Sequence, residues 1–207
     1  MNRVFLLSPA NPSGARARMV MNERAEFELA IRLRREGAPL GDLFGFMSGL
    51  YFRGKSAYSS AFATPPPGFA GSLVITAGRG LLPQETLIRF ADLLEIAAVP
   101  IDLSEPRYRE PLERDALHLH KTISPDCEIV LLGSIATPKY LEPLLDIFGA
   151  RLLFPSEFVG RGDMSRGGLM LRCAREGVEL DYIPACSAVR RGRRPPKLPK
   201  PPKLKRT

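Results

Sequence analysis

The sequence contains no tryptophan, two histidines and three cysteines among 207 residues. Without tryptophan, any stacking on a planar ligand falls to tyrosine and phenylalanine. Cys127, Cys173 and Cys186 are odd in number and far apart. That argues against a disulfide framework and against zinc spacing, and suits ordinary thiols in a reducing compartment. His118 and His120 are two residues apart, a spacing that points them to different faces of a helix and away from a shared metal. No metal and no cofactor is therefore expected. No apolar run approaches the roughly 18 residues of a membrane span. The apolar segment after Met1 is too short for the core of a secretory leader and reads as a buried strand. A cytoplasmic protein without a membrane partner is the expectation. The chain has no Walker loop, and Gly160-x-Gly162 lacks the third glycine of a dinucleotide fingerprint. It has no internal repeat.

One stretch lacks acid altogether. Residues 190–207 carry nine Lys or Arg, among them Arg190, Arg191, Arg193, Arg194, Lys197 and Lys200. The whole chain has 30 basic and 22 acidic residues, so without that stretch 21 stand against 22. A near-neutral body of residues 1–189, read as a single α/β domain, thus carries a basic, proline-rich tail expected to be disordered. Such an arm attracts polyanions through counterion release, or merely solubilises the protein.

Within the body, residues 4–7, 72–76, 127–132 and 151–154 are short runs with continuously apolar centres, each followed by small or polar residues. Between them lie helical patterns at residues 22–35, 40–62 (broken near Gly49), 85–96 and 111–121. Thr137-Pro138 has the form of an N-cap followed by proline at the first helical position, ahead of Leu141, Leu144, Leu145 and Phe148. A glycine-rich loop at 159–168 leads into a last helix. Continuously apolar strands alternating with helices predict a mixed α/β fold with a largely parallel sheet flanked by helices.

Ligands of such sheets bind beyond the carboxyl ends of the strands. Four loops leave those ends: 8–11, 77–82, 133–137 and 159–168. Ser8, Gly78, Gly80, Gly133 and Ser134 let backbone approach a ligand, and Arg79, Lys139, Arg161 and Arg166 add positive charge suited to phosphate, with Ser165 nearby. Tyr51, Phe52, Arg53, Gly54, Lys55 and Tyr58 mix rings with cations, as a base-stacking segment or as a helix with core aromatics. Asp163, between two arginines, is either a carboxylate held in its ionised form or an exposed ion pair.

In order along about 160 residues, these segments resemble the YaaA-type peroxide-stress family and related short bacterial and phage domains. Leu7-Ser8-Pro9-Ala10 is similar to the family's opening Ile-Ser-Pro-Ala-Lys. Phe52-Arg53-Gly54-Lys55 with Tyr58 resembles its Phe-Lys-Gly-Asp-x-Tyr stretch, and Ala77-Gly78-Arg79-Gly80-Leu81-Leu82-Pro83 its Ser-Gly-Leu-Tyr-Gly-x-Leu-x-Pro loop. Leu132-Gly133-Ser134 with Lys139-Tyr140-Leu141 parallels Asn-Leu-Ala-Ser and Glu-Tyr-Phe, and residues 161–166 resemble Arg-Gly-Leu-Met-Ser-Arg. Asn11 stands where the family has lysine, and Asp163 where it has an apolar residue. Tyr108-Arg109-Glu110 is what corresponds to its acidic stretch.

The resemblance implies a mixed α/β fold, a cytoplasmic setting, DNA binding and protection of DNA from oxidative damage. The expected function is binding of a nucleic acid or nucleotide, with Tyr140 and the loop residues above around the ligand. Two alternatives stay open. One is an enzyme acting on a nucleobase or nucleoside (an N-glycosidase or base transferase), with Asp163 or Glu110 as its carboxylate. The other is an adaptor that docks through its proline-rich tail.

Overall fold

The computed structural model describes residues 1–190 together with 192, 193, 195 and 196. The expected disorder of the tail, and its residues Arg191, Arg194, Lys197 and Lys200, lie outside the described residues.

The chain opens with β1 (Arg3–Leu7), then α1 (Ala15–Val20), α2 (Glu28–Arg35), the short β2 (Ala38–Pro39), α3 (Leu40–Ser48) and α4 (Leu50–Phe62). The middle of the chain forms β3 (Ser72–Thr76), β4 (Gly80–Pro83), β5 (Leu87–Ile88), α5 (Phe90–Ala98) and α6 (Pro106–Thr122). The last part forms β6 (Glu128–Leu132), α7 (Pro138–Phe148), β7 (Leu152–Pro155), α8 (Asp163–Glu176) and β8 (Tyr182–Pro184). Six strands make one sheet in the order β4-β3-β1-β6-β7-β8, and β2 pairs with β5 apart from it. β3, β1, β6 and β7 are mutually parallel, and the two edge strands, β4 and β8, are antiparallel to their neighbours. The expected mixed α/β architecture with a largely parallel sheet is thus the one observed.

The order of the strands decides where ligands can enter. The chain leaves β1 for β3 on one side, then crosses back over β1 to β6 and β7 on the other. Right-handed crossovers in opposite directions lie on opposite faces of a sheet. Accordingly α4 packs on β1, β3 and α8, while α6 and α7 pack on each other and against β3, β4 and β7. Val4, Phe5, Leu6 and Leu7 are fully buried beneath the two helical layers, which is why β1 reads as an unbroken apolar run. The carboxyl ends of β1 and β6, where the strand order reverses, are the switch point at which a doubly wound sheet has its crevice.

Some elements differ from the sequence expectation. The loop expected at 77–82 is a tight turn, with Gly78 at φ 82°, leading into β4 from Gly80. Backbone pairing with β3 wins there over the turn-like composition. The 159–168 segment is loop only as far as Gly162, and Ser165, Arg166, Gly167 and Gly168 belong to α8. The helix expected from residue 85 begins at Phe90, after β5. α1, β2 and β8 were not anticipated, being short and weakly patterned. Among the described residues, no helix is long and apolar enough to cross a membrane.

Candidate functional site

α4 runs back along β1. Its Lys55 meets Ser8 at the carboxyl end of the strand, Tyr58 meets Phe5 in the middle, and Thr64 just beyond the helix bridges to Arg3 at the amino end. Two glycines draw α4 and α8 together. A Cβ on Gly54 would lie 2.6 Å from the Gly167 carbonyl oxygen, and one on Gly167 would lie 2.6 Å from that of Leu50. The two backbones therefore touch, and the first turns of both helices overhang the switch point.

Lys55 is the centre of what they enclose. Its side chain crosses the apolar layer and is 1% exposed. Its Nζ donates to the Ser8 carbonyl oxygen at 2.6 Å and to Ser8 Oγ at 2.9 Å. The rings of Tyr51 and Phe52 lie 4.6 and 4.7 Å from the nitrogen. No carboxylate among the described residues forms an ion pair with it. Burial accordingly lowers its pKa from 10.5 to about 7, with Asp163 opposing the shift from a distance. Near neutral pH a substantial fraction of Lys55 is a neutral amine.

The β6 side closes on the same point. Ser8 N–H donates to the Leu132 carbonyl at 3.1 Å. A side chain at Gly133 would have its Cβ 2.9 Å from Ser8 Cβ and 3.0 Å from the Tyr140 hydroxyl, so the contact requires glycine. Ser134 N–H donates to the Tyr140 hydroxyl at 2.7 Å. Thr137 is indeed the N-cap of α7 with Pro138 after it, but its side chain makes no cap hydrogen bond. The first-turn amides of α7 thus keep unfilled donor capacity. Lys139, in that turn, lines a cavity of about 510 Å³ with Pro9, Asn11, Pro12, Val99 and Ile101.

α8 supplies the third side. Arg166 is 7% exposed and gives Nε and Nη2 to the Phe158 carbonyl at 3.2 and 3.1 Å. Its Nη1 lies 3.7 Å from Asp163 Oδ1, and the Asp163 side chain is 66% exposed. Arg161 donates to the Glu157 carbonyl at 2.8 Å, and its Nη1 lies 3.4 Å from both Ser165 Oγ and the Pro196 carbonyl. The Tyr51 hydroxyl, on a residue 8% exposed, faces the Arg166 guanidinium without a well-formed hydrogen bond. The Tyr108 hydroxyl of α6, near Tyr140, is buried and unpartnered. Burial raises the pKa of Tyr51, Tyr108 and Tyr140, so all three remain protonated at neutral pH.

Of the residues expected at a site, the structure gathers Ser8, Lys55, Gly133, Ser134, Lys139, Tyr140, Asp163 and Arg166 around the switch point, with Arg161 and Ser165 on its rim. Others lie elsewhere. Gly78, Arg79 and Glu110 line a separate cavity of about 570 Å³ at the end of β3, next to the first across Val99. There Arg79 is held at 2.7 Å by both Asp92 and Glu95. Gly80 lies under Asp115, whose Oδ2 accepts from Leu81 N–H at 2.9 Å. Tyr58 faces inward: its hydroxyl is 2.6 Å from that of Tyr182 and accepts from Leu180 N–H at 2.9 Å, and burial pushes its pKa up to about 12. Arg190 and Arg193 are exposed, and the Arg193 carbonyl packs on Gly160. Tyr51 and Tyr108 were noticed in the sequence, the first in a ring-and-cation segment and the second in an acidic stretch, but neither was placed among the ligand-binding residues. Tyr51 had a signal for that place, four residues before Lys55 on one helical face. Among the described residues, no group of three His, Cys, Asp or Glu is arranged to hold a metal ion.

Comparison with protein families, with curated proteins and with solved structures finds no match to this chain.

Proposed function

We propose that the protein binds a nucleotide, free or at the end of a nucleic acid, in the switch-point crevice. The observation that carries this reading is the meeting of three chain segments at the carboxyl ends of β1 and β6: residues 8–13, residues 133–140 and the start of α8. The support is chemical. The first turn of α7 offers uncapped amides and the positive end of a helix dipole to a phosphate, with Lys139 beside them. The wall formed by Pro9, Pro12, Val99 and Ile101 gives a base an apolar face, and Asn11 stands at its edge. The Tyr51 hydroxyl, buried beside Arg166 without a well-formed hydrogen bond, leaves a polar group for a ligand to satisfy.

Titration of the full chain with nucleoside mono-, di- and triphosphates, followed calorimetrically, tests the reading. Lys139→Ala is expected to weaken binding by about 5–10-fold, the loss of one charge-assisted contact at a partly open site. Absence of binding at millimolar concentration for every nucleotide would remove the proposal. A polynucleotide arm separates the body from the tail. If the crevice holds one nucleotide and residues 190–207 hold the backbone, deleting those residues lowers DNA affinity and its salt dependence while mononucleotide binding stays.

A further inference from the structure

We infer that Ser8 and Lys55 form a nucleophile–base pair, in which Ser8 Oγ attacks the carbonyl carbon of an ester or amide. This goes beyond nucleotide binding. It needs the crevice to be open to a ligand, but it stands or falls on these two residues whichever ligand enters.

The geometry assigns the roles. Of the two N–H groups of a neutral Lys55 amine, one points to the Ser8 carbonyl at 2.6 Å. The other has the ring faces of Tyr51 and Phe52 beside it. The remaining lone pair then meets Ser8 Oγ at 2.9 Å, so that the hydroxyl donates to the amine. Ser8 is also the outer member of the pair, 5% exposed against 1%, and the chain continues from it into Pro9 on the wall of the 510 Å³ cavity. A buried lysine kept only for packing would be matched by a carboxylate, and Lys55 has none in contact among the described residues. The charged and titratable groups around it are Tyr51 on its own helix, Asp163 and Arg166 on α8, and Tyr140 on α7 with Tyr108 behind it. The tyrosines stay neutral, Asp163 is mostly solvated, and burial keeps Lys55 deprotonatable near pH 7. The Tyr51 ring lies against Lys55 Nζ, while its hydroxyl faces the Arg166 guanidinium.

The step balances within the protein and its substrate. Ser8 Oγ forms a bond to the carbonyl carbon as its proton passes to Lys55 Nζ, and the carbonyl electron pair moves to oxygen. The tetrahedral species collapses, and the leaving alcohol or amine takes the proton from Lys55. The acyl group now on Ser8 is removed by water, which Lys55 deprotonates in turn, releasing a carboxylic acid and restoring the hydroxyl.

The test is covalent labelling of the full chain with a fluorophosphonate, located by peptide mass spectrometry at pH 5.5 to 9, alongside release of p-nitrophenol from p-nitrophenyl acetate. Expected are one label, on Ser8, a labelling rate that rises through pH 7, and an initial burst of p-nitrophenol. Ser8→Ala, which removes one oxygen, should abolish the label. Lys55→Met should slow it about 100-fold or more, as loss of a general base does. Thermal melting confirms that each variant is folded. Should Lys55→Met not fold, the rise of the wild-type rate through pH 7 carries the base assignment. No label on Ser8 at any pH overturns the inference. So does equal labelling of folded Lys55→Met, or a label on Lys55 itself. Nucleotide titration of the same samples keeps the proposals apart, because a protein that binds nucleotide and takes no label loses only the pair.

Discussion

A cation sits at each end of β1, Arg3 of the strand itself and Lys55 of α4, and the two are treated in opposite ways. At its amino end Arg3 gives Nε to Glu128 at 2.7 Å and Nη1 to Glu179, with its guanidinium 4.9 Å from the centre of the Tyr182 ring. Tyr182 in turn donates to Glu179 at 2.7 Å and lies 2.6 Å from the Tyr58 hydroxyl. Burial would lower the Arg3 pKa, yet the bonds to the two carboxylates outweigh it and raise it. At the carboxyl end Lys55 is deeper, has a single serine for a polar partner, and sits against the ring of Tyr51, whose hydroxyl faces Arg166 without a well-formed hydrogen bond. A fully matched cluster fastens the strand to α4 and β8. An unmatched cluster costs stability and persists where a ligand or a reaction uses it.

The most drastic way to separate the two ends is to push α8 off α4. Gly54→Val places its Cβ against the Gly167 backbone, which cannot yield. It is expected to cost about 3 kcal/mol or more in a denaturant melt and to abolish nucleotide binding. A variant within 1 kcal/mol of wild type would show that the helices can part freely.

Arg3→Met tests the matched end. It leaves Glu128 and Glu179 facing each other without their shared cation, and the partial exposure of the cluster keeps the expected loss to about 2–3 kcal/mol. Chemistry and binding at the Lys55 end should be unchanged, and a parallel loss there would mean that the two ends are coupled.

Lys55→Met tests the unmatched end and has the opposite sign. The folded pKa is about 7 against 10.5 for the free side chain, so between those values the unfolded chain binds the extra proton and stability rises with pH. Below pH 7 the fold bears the whole penalty, about 5 kcal/mol by linkage, against which stand the hydrogen bonds to Ser8 worth about 1.5–3 kcal/mol. The variant should therefore be about 2–3 kcal/mol more stable than wild type at pH 6, and should lose that advantage by pH 10. A difference that does not change with pH would mean that Lys55 titrates like an exposed lysine.

The smallest effect belongs to neither end of β1. Deleting residues 190–207 removes the Arg161–Pro196 contact and the packing of residues 192 and 193 on Val159 and Gly160, all at the surface, so the melting temperature should move by no more than about 2 °C, as for a loss of a few tenths of a kcal/mol. A larger fall would show that the segment is part of the packed body.

The four parallel strands were legible because a strand buried on both faces is apolar through its centre, as residues 4–7 and 129–132 are. β4 was not, since Gly80-Leu81-Leu82-Pro83 has the composition of a turn and becomes a strand through its pairing with β3. At the site, Ser8, Lys55, Gly133, Ser134, Tyr140, Asp163 and Arg166 could each be singled out. Arg166 illustrates how far that goes: its charge is visible in the sequence, but its hold on the Phe158 carbonyl depends on how the loop before α8 folds back.

What the sequence determines by itself is therefore local and periodic: apolar runs that must be buried, a proline-headed helix after Thr137, a near-neutral body and a basic end. What only tertiary structure decides is which polar groups lose water. Lys55 reads as an ordinary helix-surface lysine until Gly54 and Gly167 bring α8 onto α4 and the chain after β1 closes over it. Desolvation depends on every neighbour at once, and those neighbours come from residues more than a hundred positions apart, so no single stretch of sequence encodes it.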